Sequence, residues 1–556
     1  MRKILLFTLM AMMFVVMGVG DPYHYEVTYP YDAINPDTNE FPGGRGANQM
    51  IVYTPDFGER TGTNEWGIEV IVRNGRIISI GENDNPIPSD GMVLSGHGEA
   101  HNWINRYLES GMSVKIDREN QLIQAVLDSK TILEGALIET EEMRSFRDEH
   151  KNAYTFRERW AQNRQYRRIN RAITRAQSLL EEENTEEIKE AVQEAEQAVE
   201  RGWFLTMISE REEMRGIWER LPSMDAEELT AYLDEVESHG FNALFPEVFY
   251  WGRSLYPGEI IKQFEAFQGY DPLELMIEEG KKRNIEIHAW VENIYVGLED
   301  SPLVQQHPEW LTMTRDGRNY TYHDEFQVYY MSWAIPEVRE LLISYYREMV
   351  KNYPGLAGLN LDYIRWPTQD AAREFGFSPL EREIFKEKHG FDQMDIEPGD
   401  KEKQQIFNEW KEGLISDFVE RVYRELKEIN PDLLISAAVA TPLEDARKTK
   451  QQNWAQWSRA NNLDILTPMI YTLQSEAVYR EMNEIREEIN DTIPVVAGLG
   501  TYQGTTPMTV WRQVHQARQS GSPGFVIFDW SNSDEEQLRV FKKGIHRNSA
   551  RVPKLW

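Results

Sequence analysis

Carboxylates stand where the apolar runs of this sequence end. Glu219, Glu247, Glu292, Asp362 and Asp529 each close or directly follow a strand-like run, and Thr441, Tyr471 and Tyr502 take the same place after three others. No such run ends in lysine, so Schiff-base chemistry has no nucleophile. No His-x-His pair offers a barrel-type metal site its ligands. The sequence contains no cysteine, which removes thiolate catalysis, disulfides and iron–sulfur clusters. What remains is chemistry that carboxyl groups perform alone, with no cofactor and no metal expected.

Two carboxyl groups without a metal suit hydrolysis of a glycosidic bond. One protonates the leaving oxygen and the other attacks or stabilises the sugar cation, at separations of roughly 5–5.5 Å for retention and 6.5–9.5 Å for inversion. Asp362 is the first candidate: in Gly358-Leu-Asn-Leu-Asp-Tyr-Ile-Arg-Trp-Pro367 the two-residue period puts Asn360 and Asp362 on one face and Leu359 and Leu361 on the other. Arg365 is expected to hold Asp362 ionised by lowering its pKa, or, in a purely structural role, to pair with it and close the barrel top. Glu292, sharing a face with His288 and Trp290, is a candidate general acid because apolar surroundings raise a carboxyl pKa. Glu247 and Asp529 compete for that role, and the sequence does not rank them securely.

Aromatic residues crowd the same stretches: Tyr250, Trp251, Tyr295, Trp333, Trp366, Trp454, Trp457, Tyr502 and Trp530. Flat rings beside carboxylates fit the apolar face of a sugar. Glu219, Glu247, Trp251, His288, Trp290, Asn360, Trp366, Tyr471, Tyr502, Asp529 and Trp530 are therefore the expected substrate-binding set. His97-Gly-Glu-Ala-His101 has metal-like spacing, but Gly96 and Gly98 predict a turn, and no metal site is assigned there.

These residues need a frame that brings eight run ends together. Apolar runs at Met214 to Trp218, Phe241 to Val248, Ile285 to Val291, Leu356 to Ile364, Leu433 to Val439, Ile465 to Tyr471, Ile493 to Leu499 and Phe525 to Trp530 each precede a helical pattern. Helix punctuation agrees, with a capping box at Asp225 to Glu228 and a stop at Gly240. The pattern predicts an α/β fold, a (β/α)8 barrel over 206–556, with its site at the strand carboxyl ends. Residues 21–117, rich in Gly, Pro, Asn and Thr, predict a small β-rich domain with a turn at Asn74-Gly75. Residues 118–205, nearly free of Gly and Pro, predict long helices whose dense charge reads as a solvated face.

Residues 1–20 have the basic start, apolar run and small residues of a signal peptide, so a secreted, periplasmic or envelope location is expected. The run from Ile4 to Val19 falls short of the roughly 20 residues that span a bilayer, so stable membrane insertion is not expected after cleavage. With 92 acidic and 60 basic residues the chain carries a formal charge of -32, which argues against nucleic acid as a partner. The oligomeric state is not legible.

Six stretches of the barrel region, Met214-Arg-Gly-Ile-Trp218, Ile287-His-Ala-Trp290, Ile335-Pro-Glu-Val-Arg339, Leu361-Asp-Tyr-Ile-Arg-Trp-Pro367, Thr467-Pro-Met-Ile-Tyr471 and Gly498-Leu-Gly-Thr-Tyr502, occur in an order that resembles the glycosyl hydrolase-like family 10 of bacterial cell-surface proteins. The resemblance implies a barrel hydrolase of bacterial glycans, peptidoglycan strands among them, with Asp362 and Arg365 in the site. Glu219, Glu247, Glu292 and Asp529 stand where many members have less acidic residues, which implies a substrate or an acid particular to this branch. Part of the β-rich region, Gly67 to Val72, Gly75 to Ile80 and Asp90-Gly-Met-Val-Leu-Ser-Gly-His-Gly98, is similar to domains found beside exported phosphodiester glycosidase-like proteins, a likeness from which no activity is inferred. The expected function is an exported glycoside hydrolase acting on a polysaccharide. The alternative is a non-catalytic glycan-binding or envelope scaffold protein, with the long helices as spacer or docking arm.

Overall fold

The computed structural model describes residues 21–36, 48–64, 67–81, 83–182, 185–323, 325–368, 374–502 and 505–554. The expected signal peptide lies outside them. No helix among the described residues is long and apolar enough to cross a membrane.

The amino-terminal part is one eight-stranded sheet. Its order is Tyr25–Pro30, Leu122–Leu127, Ser113–Asp117, Arg76–Ile80, Gly67–Arg73, Gly91–His97, Met50–Tyr53 and Ala33–Ile34. Asn74 and Gly75 have φ of 49° and 73°, the left-handed pair that a two-residue hairpin turn requires. The sheet runs past the boundary expected at residue 117, because Leu122–Leu127 pairs with both Ser113–Asp117 and Tyr25–Pro30. Gly98, at φ 58°, starts the helix Glu99–Tyr107 where a turn was expected. That places His97 at a strand end and His101 on a helix.

Three helices follow: α1 Ser129–Glu149, α2 Phe156–Glu181 and α3 Thr185–Thr206. Capping boxes at Asp128 with Thr131 and Thr155 with Glu158 fix the first two starts. Met143, Ile169, Ala176, Val192 and Trp203 point into the same apolar core that surrounds the barrel. Trp203 meets Trp511 on a barrel helix with ring centres 5.4 Å apart, so the helices are packed onto the barrel wall.

The barrel is closed. Its strands β1 Met214–Glu219, β2 Ala243–Tyr250, β3 Glu286–Val291, β4 Gly358–Leu361, β5 Leu434–Val439, β6 Ile465–Ile470, β7 Ala497–Gly500 and β8 Gly524–Phe528 pair in parallel, each with the next. β8 returns to β1 with Gly524 opposite Met214 and Phe528 opposite Trp218. A Cβ on Gly524 would stand 2.2 Å from the Met214 carbonyl oxygen, so only glycine fits this seam. The eight expected strands are the eight observed, and strands buried on both faces explain why the sequence reads as continuous apolar runs.

β2, β3 and β4 end in a shared way. Trp251, Asn293 and Tyr363, each just beyond its strand, take φ of 49°, 47° and 47°. Left-handed backbone at a tryptophan and a tyrosine is uncommon and strained, and it turns the chain sharply across the barrel mouth. This is why β4 stops at Leu361 rather than running on to Ile364 as the apolar pattern suggested. The long connection after β3 folds into a sheet of Tyr295–Gly297, Phe326–Tyr330 and Tyr320–His323, which stands beside the mouth.

Candidate active site

A cleft of about 660 Å³ opens at the carboxyl ends of the strands. Glu292, Asp362 and Asp529 line it together with Arg220 and Arg365. Trp251, Tyr295 and Tyr363 form one part of its wall and Tyr471 and Phe528 another. Tyr363 stacks on Tyr295 at 4.7 Å, and Tyr471 stacks on Phe528 at 5.8 Å. A depression of about 960 Å³ between the helices Lys401–Ile429 and Leu443–Lys450 lies away from the strand ends and brings none of these groups together.

Asp362 sits just past β4, 7% exposed. Its Oδ2 accepts from Trp290 Nε1 at 3.1 Å and its Oδ1 from the Tyr363 amide at 2.6 Å, while Asn293 Nδ2 donates to its carbonyl at 2.6 Å. Tyr346 Oη in turn donates to Asn293 Oδ1 at 2.8 Å, so the turn is held from behind. The expected ion pair with Arg365 does not form: among the described residues Asp362 has none. The Arg365 guanidinium lies over the Tyr363 ring at 4.5 Å, and its carbonyl accepts from Trp333 Nε1 at 2.9 Å. Arg365 was expected to depress the Asp362 pKa, but the pKa lies above the ordinary value, because burial outweighs the arginine and the two N–H donors.

Glu247 and Glu292 share one cation. Arg220, the residue after β1, donates from Nε and Nη2 to Glu247, the latter at 3.1 Å, and from Nη2 to Glu292 Oε1 at 3.0 Å. Its guanidinium also faces the rings of Tyr250 and Trp251 at 4.8 and 5.3 Å. Both carboxyls are nearly inaccessible, and burial raises the pKa of each. For Glu292 the negative charge of Glu247 adds to burial and pushes the value well above the ordinary range. Burial and the charge of Glu247 thus drive Glu292 toward its protonated form, and its Oε2 is buried beside Glu247.

A second acidic pair spans β8 and β1. Asp529 accepts from the Asn532 amide and Nδ2, both at 2.8 Å, and faces the cleft. Glu219 lies outside the cleft lining and accepts from the Ser531 hydroxyl and, at 3.2 Å, its amide. Burial, with the charge of Asp529 adding to it, pushes Glu219 up to about 7.

The remaining expected binding residues divide. Trp251, Trp290, Tyr471 and Asp529 line the cleft. Tyr502 lines an adjoining cavity of about 540 Å³ that shares Thr441, Met469 and Tyr471 with the cleft. His288 is turned into the lower barrel, stacked on Phe245 at 4.6 Å and beside Glu286. Asn360 belongs to a polar layer inside the barrel, accepting from Trp218 Nε1 and donating to Ser436 and Thr467. Trp366 is wholly buried and donates to the Lys411 carbonyl. Trp530 packs edge-on against Tyr232, His239 and Phe241 on the outer side. Trp333, Trp454 and Trp457 are likewise core. Arg220, Tyr363 and Phe528 were not anticipated; a site this acidic requires a cation, and the residue following Glu219 is one.

The model of the family described as "Glycosyl hydrolase-like 10" matches residues 213–516, more than half of the chain. Glycosyl hydrolase YngK of Bacillus subtilis (strain 168) is 24% identical over 276 residues, 44% of this chain and 49% of that protein. Glycosyl hydrolase DigH of Escherichia coli (strain K12) is 26% identical over 145 residues, 22% of this chain and 30% of that protein. The chain thus spans about half or less of these curated relatives. Among solved structures, the catalytic domain of a β-amylase from Paenibacillus polymyxa superposes with a TM-score of 0.44 at 11% identity, covering 60% of this chain and 98% of that one. A β-galactosidase from Bacillus circulans sp. alkalophilus gives a TM-score of 0.45 at 12% identity, covering 61% and 56%. With its matched segment covering strands β1 to β7 of the closed barrel that carries the acidic cleft, the chain belongs to the glycosyl hydrolase-like 10 family.

Proposed function

We propose that this protein hydrolyses glycosidic bonds in a polysaccharide, with Glu292 as general acid and Asp362 as the nucleophile or base. One observation carries the proposal: two carboxyls from neighbouring strands, Glu292 and Asp362, line one cleft. Glu292 is buried beside another carboxyl, which favours its protonated form, the state a general acid requires. Asp362 is surrounded by groups that favour its charged form, the Trp290 and Tyr363 N–H donors and the nearby Arg365. Burial raises both carboxyls; the charge of Glu247 adds to the rise of Glu292, whereas the N–H donors and Arg365 limit that of Asp362, which orders the pair as acid and base. Protonation of the leaving oxygen by Glu292 and attack by Asp362, directly or through water, together break the bond without a metal or cofactor.

The substrate class is a bacterial or environmental glycan, and the site of action is outside the cytoplasm. The family's relation to glycosyl hydrolases and the signal-like first twenty residues support these readings. The cleft's aromatic walls suit sugar rings. Reducing-end release by the purified chain on peptidoglycan glycan strands, α-glucans and β-glycans tests the proposal. Turnover on at least one is expected. Binding to a glycan with no turnover on the panel would make it a glycan-binding scaffold instead.

A further inference from the structure

Helix α2 carries a charge opposite to that of the molecule. Its sequence, Phe156-Arg-Glu-Arg-Trp-Ala-Gln-Asn-Arg-Gln-Tyr-Arg-Arg-Ile-Asn-Arg-Ala-Ile-Thr-Arg175 and onward to Glu181, holds only two acidic residues, Glu158 and Glu181. Glu158 is turned inward to Arg547 and Asn548. Gln162, Tyr166, Ile169, Ile173 and Ala176 define the buried side. At 100° per residue the opposite side presents Arg157, Arg164, Arg167, Arg168, Arg171 and Arg175, all exposed, along about 27 Å of helix. Arg175 pairs with Glu194 at 3.0 Å, whereas the other five form no ion pair among the described residues. Phe156 and Trp160, one turn apart at the head of the same face, are 77% and 55% exposed. Arg164 faces the Trp160 ring at 5.8 Å.

We propose that this face docks on an anionic lipid surface, the arginines on headgroup phosphates and the Phe156 and Trp160 rings in the interface between headgroups and chains. Trp160 gains at the membrane boundary by burying its ring while its N–H stays wet, and Phe156 by burying apolar surface. The net charge of -32 does not oppose this, because charges more than about 8 Å from the contact are screened at physiological salt. A polyanion in solution would satisfy the arginines but would leave the two rings idle, which is why a bilayer is the better fit.

The test is co-sedimentation of the full chain with vesicles of phosphatidylcholine alone and of phosphatidylcholine mixed with phosphatidylglycerol, at low and high salt. Arg164→Gln/Arg168→Gln/Arg171→Gln and Trp160→Ser are compared with wild type after circular dichroism shows them folded. All share the apolar run at residues 4–19, so differences between them isolate the helix. Binding is expected to be stronger to the anionic vesicles, weakening with salt, with a loss of about five-fold per arginine removed and hence roughly 100-fold for the triple variant. Trp160→Ser should bind several-fold more weakly. Equal binding to both vesicle types, or wild-type affinity in the triple variant, would overturn the proposal. So would tight binding to a double-stranded DNA oligonucleotide with none to anionic vesicles, and full affinity in Trp160→Ser would overturn the insertion of the rings.

Discussion

Trp290 Nε1 donates to Asp362 Oδ2 at 3.1 Å, joining the last full turn of pleat on β3 to the carboxylate beyond β4. The bond favours the charged carboxylate in a place where burial disfavours it. Trp290→Phe removes the donor but retains an aromatic ring to meet Phe528, 6.0 Å away. The Asp362 pKa then rises, so the acidic limb of the kcat/KM profile should move to higher pH. A charged hydrogen bond of about 1.5–3 kcal/mol corresponds to a rate loss of at least roughly ten-fold. The pH profile checks the direction, and an unmoved limb would detach Trp290 from Asp362.

Arg220 is a cation shared by the buried Glu247 and Glu292, so Arg220→Gln should destabilise the fold, by less than the about 3–5 kcal/mol of a wholly buried pair because the arginine is 41% exposed. The sign with pH follows from the direction of the shifts. Glu247 and Glu292 already have raised folded pKa values, and loss of the cation raises them further. Stability is then full below the ordinary glutamate range and falls as pH climbs through the raised values. The deficit of the variant, read from thermal unfolding, should be small in acid and large above neutrality.

Glu219 offers a cleaner titration, because burial and Asp529 carry it from an ordinary 4.5 to about 7. Its stabilising contribution is present below about 4.5 and lost as pH rises to about 7, amounting to roughly 3 kcal/mol at most. Glu219→Gln cannot ionise and should not lose it. Denaturant unfolding at about pH 5 and about pH 8 should therefore show the variant gaining on wild type toward the alkaline side. Parallel behaviour of the two proteins would mean that Glu219 is not strained by ionisation.

If Glu292 is the acid, Glu292→Gln should lower turnover of natural glycans by about 10²–10⁴-fold. Substrates with activated leaving groups, which need little protonation, should be spared. Glu247→Gln should lower both substrates alike, through its partner. Should the selective defect appear in Glu247→Gln or Asp529→Asn instead, the acid assignment moves to that strand.

Much of this was readable in advance for physical reasons. A doubly buried parallel strand must be apolar throughout, so each of the eight runs announced itself, and a carboxylate such as Asp362 at the end of one was conspicuous. What escaped was direction. Trp366 and Trp530 lie within a few residues of strand ends, as Trp251 does, yet the left-handed turn at Tyr363 and the course of the chain after β8 send their rings into the core and the outer side. Local spacing does not encode such turns. Arg220 was hidden differently, because its meaning depends on Glu247 and Glu292, 27 and 72 residues away. The start of the helix Glu99–Tyr107 was missed because glycine was read as a breaker, whereas Gly98 at φ 58° begins the helix.

The most direct measurement compares wild type with Asp362→Asn on whichever glycan the wild-type chain hydrolyses, with thermal unfolding as a control for folding. The Asn side chain retains the size and the Trp290 contact but supplies neither a nucleophile nor a base. The account expects turnover to fall by about 10³-fold or more on natural and activated substrates alike, with the folded state retained. Turnover within a few-fold of wild type in a folded Asp362→Asn variant would contradict it.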